Sequence, residues 1–266
     1  VVPTGAKQRP KSKGPADFFA SVPRPFVVAH RGDSARYPEN TLASIQGAIA
    51  AQAPMAEVDL ALSRDRKILL LHDETLDRTT DGTGASWEQD WADLSRLDAG
   101  GWFGPKFLGE PLPLLSQLLA LAQGKIRLNL EIKPDTFEQG GERFLADLMA
   151  QLEQAKMLDQ VLVSSFSAPC LLALQGRPQV PPLSYLSEGP LDRPSWELLE
   201  TIDAWGFHTE VGAVSAADAE ELKGRGRCYL AYTAADSQQA RSLFALGVDG
   251  VFANDPHLLK PASTTA

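Results

Sequence analysis

His30 and His72 each close an apolar run, and between them Glu57 and Asp59 interrupt the hydrophobic stretch Ala56-Glu57-Val58-Asp59-Leu60. Further on, polar and apolar residues alternate through Leu128-Asn129-Leu130-Glu131-Ile132-Lys133. Imidazoles titrate near neutral pH and suit proton transfer. Carboxylates are hard oxygen donors suited to Mg²⁺ or Ca²⁺. Side chains on a strand alternate between its faces, so Glu57 with Asp59, and Glu131 with Lys133, project together. Charges on a buried face are costly unless they are paired or bind an ion. Two carboxylates about 5 Å apart repel by about 3 kcal/mol at an effective dielectric near 20. A trio is therefore protonated or held by a cation, and a divalent ion resolves the conflict. The bland alternative for any one acid is a salt bridge at a strand end, and for a lone histidine a structural role. Three acids and two imidazoles together weigh toward an active site.

Those residues need a frame that brings distant strand ends together. Strand-like runs fall near 26–30, 55–62, 126–132, 160–165, 182–186, 204–209, 227–233 and 248–253. Helix-like sequence lies between several of them, at 41–53, 114–123, 138–157, 168–175, 194–202, 215–224 and 236–246. Asp236 and Ser237 are suited to cap the last of these, and Gly247 to end it. Eight strands in βα alternation predict an α/β protein with a parallel sheet, and the count favours a closed (β/α)8 TIM barrel. An open doubly wound sheet is the competing architecture. The stretch Ile68 to His72 leaves no room for a preceding helix. Residues 67–72 read as an extra strand, hairpinned to the second and returning His72 to the same mouth. From Glu74 to Gly109 helical periodicity is mostly lost, and the insertion after the second strand spans about 63–110. Residues 1–17, rich in Lys, Pro and Gly, read as a flexible arm, leaving 18–266 as one barrel domain.

Composition narrows the partners. The 266 residues carry 34 acids against 25 bases, a formal charge of −9, which disfavours nucleic acid in the absence of a basic patch. Lys7 to Lys13 is the only basic stretch, and no run has the length of a membrane span. The two cysteines, Cys170 and Cys228, lack metal-ligand spacing. They fit small buried hydrophobes in a reducing compartment, with a single bridge as the alternative. The expected partner is a small molecule, and the sequence leaves the oligomeric state open.

The ordered set His30-Arg31-Gly32, Pro38-Glu39-Asn40-Thr41, Glu57-Val58-Asp59, His72-Asp73 and Arg78-Thr79-Thr80 resembles the glycerophosphodiester phosphodiesterase family. Glu131-Ile132-Lys133-Pro134, Ser165-Phe166 and Gly247-Val248-Asp249-Gly250-Val251 continue the likeness, which covers roughly 26–256. Within the family, the compact insertion and Pro111-Leu112-Pro113-Leu114 resemble the small cytoplasmic bacterial type, implying a cytoplasmic location. The resemblance implies metal-dependent hydrolysis of a glycerophosphodiester to sn-glycerol 3-phosphate and an alcohol. It implies Glu57, Asp59 and Glu131 as ligands of one divalent cation, Mg²⁺ or Ca²⁺ with Mn²⁺ as a further option, and His30 and His72 as the acid/base pair. Arg31 and Lys133 fit phosphate recognition, Arg by its planar fork and Lys as a point charge. Glu39 either orients its neighbours or favours the start of the following helix. His208 and Tyr232 are candidates for supporting roles.

Two positions depart from the family pattern. Ala235, after Tyr232-Thr233-Ala234, stands where an Asn is usual, and Glu210 also sits where relatives tend to have Asn. Both bear on substrate preference rather than on the chemistry. Trp102 and Phe103 either wall the alcohol pocket or pack the lid. A phospholipase D- or phosphoinositide phospholipase C-like barrel enzyme is the second enzymatic reading. A glycerophosphate-binding protein without activity is the third.

Overall fold

The computed structural model describes residues 22–259, so the arm expected over 1–17 lies outside the described residues. Nine strands form one sheet: β1 (Phe26–Ala29), β2 (Met55–Leu62), β3 (Ile68–Leu70), β4 (Arg127–Ile132), β5 (Val161–Ser165), β6 (Leu183–Ser187), β7 (Gly206–Glu210), β8 (Cys228–Tyr232) and β9 (Gly250–Ala253). All but β3 pair in parallel around a ring, and β1 contacts both β9 and β2, which closes the barrel and excludes the open sheet. The remaining strand, β3, lies antiparallel on β2 with Leu60 opposite Leu70, the hairpin expected from the sequence.

Side-chain alternation sorts the strands into two cores. Ala56, Val58 and Leu60 of β2, and Leu128, Leu130 and Ile132 of β4, face outward into the layer beneath the helices. Met55 faces inward with Phe26, Val28, Leu162, Leu230 and Phe252, filling the lower barrel. Each such side chain contributes about 1.5–3 kcal/mol by leaving water. The inward register of Met55 carries on to Glu57 and Asp59, and that of Asn129 to Glu131 and Lys133. The acids are thus placed inside by the same period of two that buries the leucines outside.

Five of the seven helices that cover the barrel are capped by polar side chains at the positions where the chain leaves the strand mouth. The seven are α1 (Leu42–Ala50), α3 (Leu115–Ala122), α4 (Pro134–Gln154), α5 (Ala168–Gln175), α6 (Arg193–Thr201), α7 (Ala216–Gly224) and α8 (Ser237–Ala245), with the short α2 (Trp91–Leu94) in the insertion. Thr41, Ser167, Asp192, Ser215 and Asp236 each accept a bond from a main-chain N–H of the first turn. Two helix boundaries differ from the sequence reading. The helix expected from 138 begins at Pro134, because proline's fixed φ suits the first turn, and Gly141 then interrupts it with a non-helical backbone. The helix expected to reach 53 stops at Ala50, since Gln52 takes a positive φ of 58°.

The insertion is held by its own small core of Leu69, Leu71, Leu76, Leu94, Ala99 and Leu112. Phe103 packs on Phe107, which packs on Tyr37 in the loop after β1, so Phe103 serves lid packing while Trp102 remains exposed. Both cysteines are buried and free, which removes the bridge alternative.

Candidate active site

The β1–α1 loop folds back across the mouth, and Gly32 is where it turns. Its φ is +82°, and a Cβ there would sit 2.3 Å from Ser44 Oγ and 2.7 Å from the Ser44 main-chain carbon. Only glycine fits both the conformation and the space. The turn aims the Arg31 main-chain N–H at Glu57 Oε2, 2.9 Å away. Asn40, buried in the same loop, grips Asp59 at two points: Nδ2 donates to Oδ2 at 2.8 Å, and Oδ1 accepts from the Asp59 N–H at 3.1 Å.

Glu57, Asp59 and Glu131 meet at the mouth of β2 and β4, where Asp59 and Glu131 are register partners. One oxygen from each lies within 4.8 Å of the others, and all three side chains are buried. Lys133 Nζ bridges Glu131 at 2.8 Å and Asp59 at 3.1 Å. The Arg31 guanidinium lies 3.4 Å from Asp59 and donates to Glu39 at 2.8 Å.

The three acids divide in their proton affinity. Burial, then the charges of Asp59 and Glu131, push Glu57 well above the ordinary carboxylate range. Burial and the Asp59 charge push Glu131 up to about 6. Burial also acts against the Asp59 charge, but Lys133 and Arg31 outweigh it and hold that group below its usual value. Two cations are thus too few for three acids. Glu57 Oε1 is buried without a hydrogen-bond partner among the described residues, so an oxygen-preferring divalent cation fits this donor set.

The imidazoles stand on either side. His30 Nδ1 is 2.8 Å from Asn254 Oδ1, and its Nε2 lies 3.9 Å from Glu57 Oε2. Since an amide oxygen only accepts, Nδ1 carries the proton and Nε2 presents a lone pair to the acid cluster. Burial, followed by the Arg31 charge, pushes this ring down to about 4. His72 has a different support, because its Nδ1 is 2.6 Å from the Asp73 carboxylate. Arg78 in turn grips Asp73 at 2.6 and 2.9 Å and Glu39 at 2.9 and 2.7 Å. A continuous chain of opposite charges therefore runs from His72 through Asp73, Arg78, Glu39 and Arg31 to Asp59.

Of the residues expected at the site, His30, Arg31, Glu39, Glu57, Asp59, His72, Glu131 and Lys133 are brought together on the β1–β4 side of the mouth. Glu39 accepts hydrogen bonds from both Arg31 and Arg78. Tyr232 lies across the mouth, its hydroxyl donating to Ser187 O at 2.9 Å. His208 is deeper, fully buried against the Phe252 ring, with neither nitrogen hydrogen-bonded among the described residues. Burial alone pushes it down to about 3, which keeps it neutral. Asn40, Asp73 and Arg78 stood in recognised motifs without an assigned role, and Asn254 was missed. The available signal for Asn254 was its place two residues beyond inward-facing Phe252, on the strand that pairs with β1.

The chain is similar to known proteins over most of its length. The glycerophosphoryl diester phosphodiesterase family pattern matches residues 30–258. A glycerophosphodiester phosphodiesterase of Bacillus subtilis (strain 168) is 31% identical over 267 residues, covering 94% of this chain and 90% of that protein. One from Caldanaerobacter subterraneus subsp. tengcongensis is 30% identical over 235 residues, covering 88% and 96%. Among solved structures, an Oleispira antarctica phosphodiesterase in complex with the product sn-glycerol-3-phosphate superimposes with a TM-score of 0.83 at 32% identity, covering 90% of this chain and 96% of that one. A glycerophosphodiester phosphodiesterase from Agrobacterium tumefaciens str. C58 gives 0.74 at 26% identity, covering 88% and 97%.

Proposed function

Because the chain belongs to the glycerophosphoryl diester phosphodiesterase family and is a phosphoric diester hydrolase, we propose that it cleaves small glycerophosphodiesters to sn-glycerol 3-phosphate and an alcohol by two-histidine, metal-dependent catalysis. The observation that carries this reading is the cluster of three buried carboxylates within 4.8 Å, with an imidazole on either side.

Glu57, Asp59 and Glu131 would hold one divalent cation, Mg²⁺, Ca²⁺ or Mn²⁺, which supplies Lewis-acid polarisation of a phosphoryl oxygen. Lys133 spends two contacts on Glu131 and Asp59 and keeps a third N–H for the substrate phosphate. Arg31, anchored by Glu39, offers the rest of its fork to the same group. Both stabilise the charge that grows on the phosphoryl oxygens as the bond breaks. His30, whose Nε2 lone pair is set by Asn254, takes the proton of the attacking hydroxyl or water. His72 returns a proton to the departing alkoxide, its Nδ1–H held by Asp73 so that Nε2 is the delivering atom. The asymmetry of support, an amide for one ring and a carboxylate for the other, favours this order of base and acid. The ring given the donating role faces a carboxylate, and the ring given the accepting role faces an amide oxygen.

A cytoplasmic location accords with two free, buried thiols, and no described helix is long and apolar enough to cross a membrane. The test is hydrolysis of glycerophosphocholine with enzymatic detection of sn-glycerol 3-phosphate. Activity is expected to vanish on chelation and return with one of the three ions. Hydrolysis that survives exhaustive chelation overturns the metal assignment, and a rate unaffected by His30→Ala overturns the base. A cyclic glycerol phosphate caught in a quenched single turnover would identify the glycerol hydroxyl, rather than water, as the nucleophile.

A further inference from the structure

Across the mouth from the acid cluster, the ends of β5 to β8 present a different set of side chains. Phe166, Glu188, Glu210 and Tyr232 each continue an inward-facing register, two residues beyond Ser164, Leu186, His208 and Leu230 respectively. Glu210 and Tyr232 are direct register partners, and the pairing of Ser187 with Thr209 brings Glu188 level with Glu210. Neighbouring strands lie about 4.8 Å apart, so the two carboxylates share one corner with the phenol ring. Phe166 meets Tyr232 edge to face at 6.1 Å, and Tyr232 meets Phe252 likewise at 6.4 Å. Glu188 and Glu210 are exposed at the rim, and neither carboxylate forms a hydrogen bond or ion pair among the described residues. The charges of both act on the Tyr232 phenol.

We infer that this corner receives the alcohol portion of the diester and selects for a positively charged one, a quaternary or primary ammonium, through Glu188, Glu210 and the rings of Phe166 and Tyr232. The inference rests on the diesterase reading above. The charges of Glu131 and Lys133 act on the Tyr232 phenol, so a group esterified to a phosphate seated by Arg31 and Lys133 can reach this corner. A neutral polyol reaching that corner gains hydrogen bonds that water already supplies to the two carboxylates. An ammonium gains the attraction of both charges and of the ring faces, which is weak in bulk water but grows as the substrate displaces solvent. The inward-facing His208 is neutral, and at the Tyr232 phenol the opposing charge of Lys133 acts less strongly than that of Glu188, Glu131 or Glu210. An anionic alcohol is disfavoured for the same reason.

The experiment compares kcat/KM for glycerophosphocholine and for glycerophospho-3,3-dimethylbutanol, which has the shape of choline without its charge, in the presence of Mg²⁺. The charged ester is expected to be preferred by about tenfold or more. Glu210→Gln and Glu188→Gln are each expected to lower that ratio about three- to tenfold, with Glu210→Asp retaining most of it. Independently of any variant, tetramethylammonium is expected to inhibit wild-type turnover competitively where sodium chloride at equal ionic strength does not. Equal turnover of the two esters, an unchanged ratio in the double variant, or no inhibition by tetramethylammonium overturns the selection while leaving the diesterase intact. Turnover of neither ester, nor of any other glycerophosphodiester, overturns both readings together.

Discussion

On the β1–β4 side of the mouth, Arg31, Glu39, Asp59, Asp73, Arg78 and Lys133 each touch at least one opposite charge. On the β5–β8 side, Glu188 and Glu210 touch none among the described residues, and the fixed contacts are aromatic edges and a single phenol hydrogen bond. The two sides lie on the same kind of strand end, so the barrel itself does not dictate the contrast. Their neighbours do. The paired side receives the long β1–α1 loop and the insertion after β3, which deliver Glu39, Asn40, Asp73 and Arg78 as supports. Chemistry needs groups held within fractions of an ångström, and cross-braced charges supply that. Choosing among alcohols needs only a surface of the right sign and shape, which unpaired groups supply.

If that division is correct, substitutions on the two sides should differ by orders of magnitude. His30→Ala removes the lone pair facing the acid cluster and is expected to lower kcat by about 10²–10⁴-fold. Tyr232→Phe keeps the ring and loses only the bond to Ser187 O, so it should cost about 1 kcal/mol or less and leave kcat within a few-fold. Steady-state kinetics on one substrate, with circular dichroism to confirm folding, makes the comparison. Comparable losses in the two variants would erase the distinction between the sides.

A finer test is whether the braces act through the imidazole. Arg78 contacts no other member of the metal or phosphate set directly, yet it joins Asp73 to Glu39. Arg78→Ala is expected to lower kcat about tenfold to a hundredfold with little change in KM, because His72 and Arg31 lose orientation together. Arg78→Lys should recover only part of the loss, since a point charge cannot fork onto two carboxylates. A rise in KM with kcat unchanged would instead make Arg78 a substrate-binding residue.

The same contrast explains how much was legible beforehand. The strands, their closure and the β2–β3 hairpin followed from apolar runs at period two, interrupted by helix-like spacers. The acid cluster followed too, because Glu57, Asp59 and Glu131 stand out as charges within those runs. Asn254 left no such mark. It lies in the last turn, and its role comes from barrel closure, which sets β9 beside β1 although more than two hundred residues separate His30 from Asn254. Arg78 was visible as a residue but not as a brace, since its two partners are fixed by the course of an irregular insertion. The opposite corner was legible only in pieces: Tyr232, Glu210 and Phe166 stood out singly and Glu188 did not, and no local pattern joins four side chains from the ends of four strands.

The smallest effect expected is on stability, and it has a defined sign. Hydrogen bonds from Arg78, acting against burial, together with His72, hold the Asp73 carboxyl down to about 2 in the folded protein. In the unfolded chain a carboxyl titrates near 4, so between these values the unfolded state binds more protons and stability decreases as the pH is lowered. The contribution of Asp73 is therefore complete above about pH 4–5 and lost as pH drops through about 2. Partial exposure screens it, leaving on the order of 1 kcal/mol. Asp73→Asn should show that deficit in urea unfolding at about pH 6, with the gap to wild type closing as both are acidified toward pH 2. A gap that widens on acidification would mean that Asp73 is protonated in the folded state. It would then be no brace for His72, and the paired side of the mouth would lose the link that sets it apart.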